Sequence, residues 1–317
     1  MNGKHLPALA IIIPCFNEES IFAYCLKTLL LKLDKLIQAG KISDASFLLF
    51  VDDGSQDGTW QLIKNAGRDS RQVKGVKLSR NQGHQIALWA GLRVAQSDVT
   101  ISIDADLQDD VNAIDRMVDC FHAGKEVVYG IRQDRSSDSY LKRTSASLFY
   151  GLMQKIGVQQ VVNHADFRLL SNRAKEALLS FKESNLYIRG LVPMIGFETA
   201  EVSYVRGRRA AGETKYPLSK MLQLAVNGIT SLSVTPLRII ALSGLLISLL
   251  SVAAAVWAIV NKLNGGTVQG WASVMIAIFF LGGVQVLSIG VIGEYIGKIY
   301  LESKARPKYF IEEMVGK

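Results

Sequence analysis

The run "ISIDADLQDD", residues 101 to 110, sets Asp104, Asp106, Asp109 and Asp110 close together behind a short β-branched segment. Carboxylates that close repel one another, so the cluster demands a positive partner. Asp109 and Asp110 stand just before a helix-length segment starting at Val111, where acidic side chains meet the positive end of a helix; the sequence predicts that they cap it. Asp104 and Asp106 are left to be explained. Two more loops carry similar chemistry, "PCFNEE" (14 to 19) and "DDGSQDGT" (52 to 59). In the second, Gly54 and Gly58 allow a backbone to approach a ligand closely. In the first, Asn17 suits an N-cap for a helix opening at Glu18, a ligand contact, or both.

These loops need elements that bring them to one place. "ALAIII", "SFLLFV", "VKGVKL", "VTISI" and "EVVYG" read as short strands, separated by helix-length segments at Glu18 to Gln38, Asp57 to Asp69, His84 to Gln96 and Val111 to Ala123. That alternation predicts a mostly parallel sheet with helices on both faces, whose ligands sit beyond the C-terminal strand ends. All three polar loops fall at such ends. No GxGxxG follows the first strand and no GxxxxGK[ST] occurs, which argues against a dinucleotide enzyme or a P-loop NTPase.

A chain of 317 residues with 49% hydrophobic content can bury a sizeable core. Its apolar excess lies near the C-terminus: Ile239 to Asn261 and Leu263 to Gly293 contain no charged residue. Each run exceeds the roughly 20 residues a helix needs to cross a bilayer. Two transmembrane helices are expected, with "NKLNGG" as their turn. Lys215, Lys220 and Arg238 precede them, Lys298, Lys304, Arg306 and Lys308 follow, and Lys262 alone lies between, so both termini are expected in the cytoplasm. Met1 to Pro7 lack the features of a cleavable signal peptide. Cys15, Cys25 and Cys120 are odd in number without metal-ligand spacing, and fit packing residues in a reducing compartment. The net charge of +8 gathers at "RGRRAAGETKY" and the membrane flanks without interleaved aromatics, favouring anionic headgroups or a phosphorylated lipid over nucleic acid. Leu218, Met221, Leu222, Ala225, Ile229 and Leu232 recur at helical spacing, an amphipathic helix for the membrane interface or for the soluble domain. Gly282, Gly283, Gly290, Gly293 and Gly297 offer close-approach positions for helix association.

At these residues the chain resembles the family 2 nucleotide-sugar glycosyltransferases of the GT-A type: "IIIPCFNEE", "VDDGSQDGT", "SRNQGHQIAL" and "DADLQD" match its ordered blocks. "VYGIRQDR", "ADFRLLS", "YVRGRRAAGETKYPLSKM", "TPLR" and "GEYIGKIYLESKARPKYF" further resemble polyprenyl-phosphate glycosyltransferases, the group of dolichol-phosphate mannose synthases and bactoprenol glucosyltransferases of the GtrB type. The resemblance implies an α/β, Rossmann-like GT-A domain over residues 1–216, an amphipathic interface helix over 217–236, a two-helix transmembrane hairpin over 237–297 and a cytosolic tail over 298–317.

It also implies site roles. A divalent Mg²⁺ or Mn²⁺ would bridge the donor's phosphates, with Asp106 as direct ligand, Asp104 on the metal or the ribose, and Gln108 as a neutral oxygen. Asp52 would bind base or ribose, with Asp53, Pro14, Asn17 and Glu18 lining the same pocket. The loop "SRNQGHQIAL" contributes Arg80, Asn81 and His84, the histidine more simply read as a cap or satisfied polar group than as a catalyst. Arg206, Arg209 and Lys215, with Arg132 and Arg143, suit the acceptor's phosphate. Asp166 would be a general base or an electrostatic, positioning carboxylate, since a lipid phosphate already carries charge. Arg168 would pair with Asp166 or with phosphate.

The implied reaction is inverting transfer of a single hexose, glucose from UDP-glucose, to undecaprenyl phosphate on the cytoplasmic face of the bacterial inner membrane, feeding a surface glycan such as O-antigen. Mannose from a GDP donor or aminoarabinose are the alternatives within the fold, and a non-catalytic scaffold the alternative outside it. A homo-oligomer, a tetramer by resemblance, is expected.

Overall fold

The structure is a computed structural model that describes residues 6–132, 164–183, 186–205, 234–264 and 270–316. The chain divides into two compact units, one of Met1–Gly151, Gln159–Lys215 and Arg306–Lys317, the other of Leu152–Val158 and Tyr216–Ala305.

In the first unit, strands and helices alternate as the pattern predicts: β1 (Leu9–Cys15), α1 (Glu19–Gln38), β2 (Phe47–Asp52), α2 (Thr59–Asp69), β3 (Val73–Leu78), α3 (His84–Val94), β4 (Val99–Ser102), α4 (Ala113–His122) and β5 (Val127–Arg132). Then come β6 (His164–Ser171), α5 (Asn172–Leu179), α6 (Ile188–Met194) and β7 (Thr199–Tyr204). The near-continuous apolar strands are buried on both faces, as a helix-covered parallel sheet requires. Leu9, Ile11 and Ile13 enter one core layer and Ala10 and Ile12 the other, following the two-residue period. On α1, Phe22, Cys25, Leu29, Leu33 and Leu36 recur every three or four residues and pack into the first layer.

The sheet order is β7-β5-β6-β4-β1-β2-β3, extended at the β3 edge by β8 (Ile311–Val315). The pairs β1–β2, β1–β4, β2–β3 and β5–β7 are parallel, whereas β6 runs against β4 and β5, and β8 against β3. The reversal of β6 brings its N-terminal end to the edge where β1 to β5 end. Residues after Ala305 therefore do not form a free tail. They cover an exposed strand edge, and the Trp60 indole N–H donates to Glu313 Oε2 at 2.9 Å while Lys64 pairs with the same carboxylate at 2.7 Å.

The second unit contains α7 (Thr235–Leu263) and α8 (Trp271–Ser303), both long and apolar enough to cross a membrane. Lys262 and Leu263, expected in the turn, are helical, and α8 continues past residue 297 to Ser303. Their large apolar side chains point outward: Leu242, Leu249, Trp257 and Leu287 are all exposed. The expected interface helix at 217–236 lies outside the described residues up to position 233.

Candidate active site

The loops after β1, β2 and β3 are stitched together by polar side chains. Asn17, at φ 55°, accepts the Gln56 N–H at 2.8 Å through Oδ1 and donates its own N–H to Ser55 Oγ at 3.0 Å. It is thus a cross-loop clasp rather than the expected cap: α1 is N-capped at Glu18, with no side-chain cap bond. The Glu18 N–H donates to Thr59 Oγ1 at 2.9 Å, and the Gly58 N–H to Glu19 Oε2 at 2.8 Å. Pro14 is buried at the end of β1, paired in register with Val51.

The two neighbouring aspartates after β2 differ. Asp53 spends both oxygens on the backbone of the next loop, accepting the Gln82 and Gly83 N–H groups at 2.8 Å each. Asp52 is fully buried; its Oδ2 accepts the Ser55 N–H at 3.3 Å, while its buried Oδ1 has no hydrogen-bond partner among the described residues. Burial raises its pKa, against the pull of Ser55 and Lys77. A buried carboxylate oxygen left without a donor is costly and suits a ligand that brings one. Gly54, at φ +69°, has the Arg80 and Asn81 backbone where a Cβ would stand, at 2.6 and 2.7 Å. Its close approach is to a neighbouring loop, not to a ligand, and Gly58 likewise faces the Glu19 carboxylate.

After β4 the chain turns sharply. The Leu107 N–H donates to the Asp104 carbonyl at 3.2 Å, Leu107 has φ 47°, and Asp106 Oδ1 accepts the Gln108 N–H at 3.2 Å. Gln108 and Asp109 are buried. Asp110 turns the chain into α4 by accepting the Asn112 N–H at 2.9 Å, but Asp109 does not cap it. Instead Asp109 Oδ1 accepts from Arg132 Nη2 at 3.0 Å and from the Tyr204 hydroxyl at 2.5 Å. Asp109 thus finds its cation in β5. Arg132, expected on the acceptor's phosphate, is held in that pair.

The antiparallel β6 places Asp166 at the same edge. Its carboxylate is nearly buried and accepts from Arg168 Nη2 at 2.7 Å, Arg189 Nε and Nη2 at 3.2 and 3.0 Å, and Gln85 Nε2 at 3.1 Å. The Asp166 carbonyl also accepts from the Ser102 hydroxyl. His84 Nε2 stands between carboxylates, 3.5 Å from Asp166 and 3.6 Å from Asp104. Burial alone would raise the Asp166 pKa, but His84, Arg168 and Arg189 outweigh it and hold the carboxyl far below the usual range. A carboxylate stabilised that strongly is a poor proton acceptor. The opposite holds for Asp104: burial pushes it up, His84 pulls it down, and Asp109, Asp166 and Asp106 push it up again.

That surplus of negative potential is what a cation would relieve, and oxygen donors suit a hard divalent one. Asp104 and Asp106 could hold it, with ligand oxygens completing the shell, because no group of three His, Cys, Asp or Glu among the described residues forms a cage. Arg143, Arg206, Arg209 and Lys215 lie outside the described residues. Gln85, Arg189 and Tyr204 join the site without a local signal of their own: Gln85 is one of several polar residues in "SRNQGHQ", Arg189 sits alone in "LYIRGLV", and only the tertiary fold brings them together.

A Rossmann-like sheet with an acidic turn after β4 and a buried carboxylate after β2 is the architecture of a sugar-nucleotide transferase. The chain belongs to Glycosyl transferase family 2, whose sequence profile matches residues 10–179, and the profile of the GtrB C-terminal hairpin matches residues 235–299. An uncharacterized glycosyltransferase of Bacillus subtilis, YkoT, is 51% identical over 96% of this chain and 91% of its own length. A bactoprenol glucosyl transferase of Shigella phage SfV is 39% identical over 96% of this chain and 98% of its own. A solved glucosyl-3-phosphoglycerate synthase from Mycobacterium tuberculosis overlaps 71% of this chain and 77% of its own at 16% identity and TM-score 0.48.

Proposed function

We propose that this glycosyltransferase moves one glucose from UDP-glucose to undecaprenyl phosphate at the cytoplasmic face of a bacterial membrane, forming a polyprenyl-phosphate sugar for surface glycans such as O-antigen. One observation carries the reading: the described site sets an acidic pair, Asp104 and Asp106, beside a carboxylate, Asp166, that two arginines keep ionised. The relatives named for bactoprenol glucosyl transfer, and the matched hairpin, support the lipid acceptor. The outward-facing apolar side chains of α7 and α8 support residence in a membrane, since such continuous exposure is unfavourable in water. The domain limits at 216 and 236, the cytoplasmic termini and a homo-oligomeric assembly belong to the same proposal.

A Mg²⁺ or Mn²⁺ ion held by Asp104 and Asp106 would offset charge on the leaving diphosphate. Asp52 would accept a hydrogen bond from the base or ribose through its unpartnered Oδ1. Pro14, Asn17 and Glu18 shape that wall, while Asp53 fixes the loop behind it. The acceptor's phosphate oxygen attacks the anomeric carbon as the bond to the nucleotide breaks, inverting the configuration. A phosphate monoester has its second pKa near 6, so the nucleophile is already charged and Asp166 serves as a fixed charge rather than a base. Arg206, Arg209, Lys215 and Arg143 are proposed for the acceptor side.

The test supplies membranes holding the full-length protein with undecaprenyl phosphate, Mg²⁺ or Mn²⁺ and radiolabelled UDP and GDP sugars. Lipid-extractable label from UDP-glucose is expected. Label from GDP-mannose or an aminoarabinose donor alone would replace the sugar, and label from none would overturn the transferase reading.

A further inference from the structure

Two side chains at Asp166 have no direct contact with substrate in the mechanism above: Gln85 and Arg189, the second acting there only through Asp166. Arg189 is the second residue of α6, and that helix has no side-chain cap of its own at Tyr187. Gln85, in the first turn of α3, takes over: its Oε1 accepts the Ile188 N–H at 3.2 Å while its Nε2 donates to Asp166 Oδ2 at 3.1 Å. One side chain, 103 positions away in sequence, therefore fixes both the start of α6 and the carboxylate its arginine grips.

The charges do not cancel. Asp166 carries one negative charge, and Arg168 and Arg189 carry one positive charge each, so the trio is left with a net positive charge. Arg168 is 2% exposed and Arg189 42% exposed, so the surplus is displayed at Arg189. Arg189 spends Nε and Nη2 on Asp166, and its Nη1 makes no hydrogen bond among the described residues. This cation reaches the acidic mouth through His84, which bridges Asp166 and Asp104. A guanidinium already oriented by one carboxylate and open on its remaining edge is suited to a phosphate oxyanion.

We propose that Arg189 contacts a phosphate oxyanion of the substrates and that Gln85 is its positioning residue. The proposal rests on the reading that the site handles phosphorylated substrates. The donor's diphosphate and the acceptor's phosphate present the same chemistry, and two measurements separate them: calorimetric titration of the full-length protein in detergent with pyrophosphate and Mn²⁺, and transfer rate against undecaprenyl phosphate concentration.

Arg189→Gln is expected to weaken pyrophosphate binding about tenfold if the contact is to the donor, or to raise the acceptor's KM about tenfold with pyrophosphate unchanged if it is to the lipid. Gln85→Leu should move the same quantity in the same direction, and the double variant should be no worse than Arg189→Gln alone. A residue of purely structural importance would instead multiply its effect onto that of Arg189. Arg189→Lys, which keeps the charge without the fork, should fall between and covers the case in which the Gln variant does not fold. Wild-type values for both quantities in the Arg189 variants, or multiplying effects in the double variant, would overturn the proposal. A wild type that transfers no sugar, yet loses pyrophosphate affinity on Arg189→Gln, would sink the proposed function and leave this contact standing.

Discussion

The two halves of the sheet edge are held by different forces. On the side of β1, β2 and β3, loops are joined by hydrogen bonds from backbone N–H groups to the side chains of Asn17, Glu19 and Asp53. On the side of β4 and β6, ion pairs converge on nearly buried carboxylates, Asp109 with Arg132 and Asp166 with Arg168 and Arg189. The first half shapes a wall and leaves the buried Asp52 Oδ1 without a partner among the described residues; the second sets a field. Stitching by neutral donors keeps backbone in place at little electrostatic cost. Converging charges fix protonation states, because each partner makes ionisation of the other more favourable.

Substitutions should separate the halves, the largest effects falling on the charged one. Asp106→Asn should cut metal-dependent transfer by roughly two to three orders of magnitude while leaving thermal unfolding near wild type. Asp166→Asn should lower stability by about 3–5 kcal/mol in denaturant titration, because it strands two arginine charges, one of them buried. The same substitution should change the acid limb. The folded carboxyl sits far below its unfolded pKa of about 3.9, so its stabilisation is full above that value and lost as pH falls through the folded one. The wild type should therefore lose more stability than the Asn variant when acidified below about pH 4, as read by unfolding midpoints.

On the stitched half the expected effects are conformational. Gly54→Ala would push a Cβ into the Arg80–Asn81 backbone from a positive φ, costing about 1–3 kcal/mol and lowering Tm. Asn17→Ala removes an exposed clasp and should cost about 1 kcal/mol or less, with a slight rise in nucleotide Kd as the wall loosens. If Asn17→Ala disturbed stability as much as Asp166→Asn, the contrast between the halves would be wrong.

Much of this was legible in the residues. Local apolar runs and helix-length spacers placed β1 to β5 and α1 to α4 within two residues, since buried parallel strands and amphipathic helices write themselves into local pattern. The Asp104–Asp106 turn was legible for the same reason. Asp109 was misread because its partner, Arg132, is contributed by another strand, and proximity to a helix start was the only local signal. Of the roles open to Asn17, the cap does not hold, because a positive φ and a cross-loop bond are tertiary facts. Gln85 and Arg189 meet only because β6 runs antiparallel and turns its first residues to the edge where other strands end. The strand at Ile311–Val315 escaped notice because a short edge strand half exposed to solvent lacks the apolar run of its neighbours.

The most direct test compares lipid-extractable glucose formed from UDP-glucose and undecaprenyl phosphate by the full-length wild type and by Asp106→Asn, each with Mn²⁺ and with chelator. Label from the wild type with metal, and near-background label in the other three reactions, is the predicted result. Equal label from both proteins, or label undiminished by chelation, would contradict the assignment of the acidic turn as the centre of transfer.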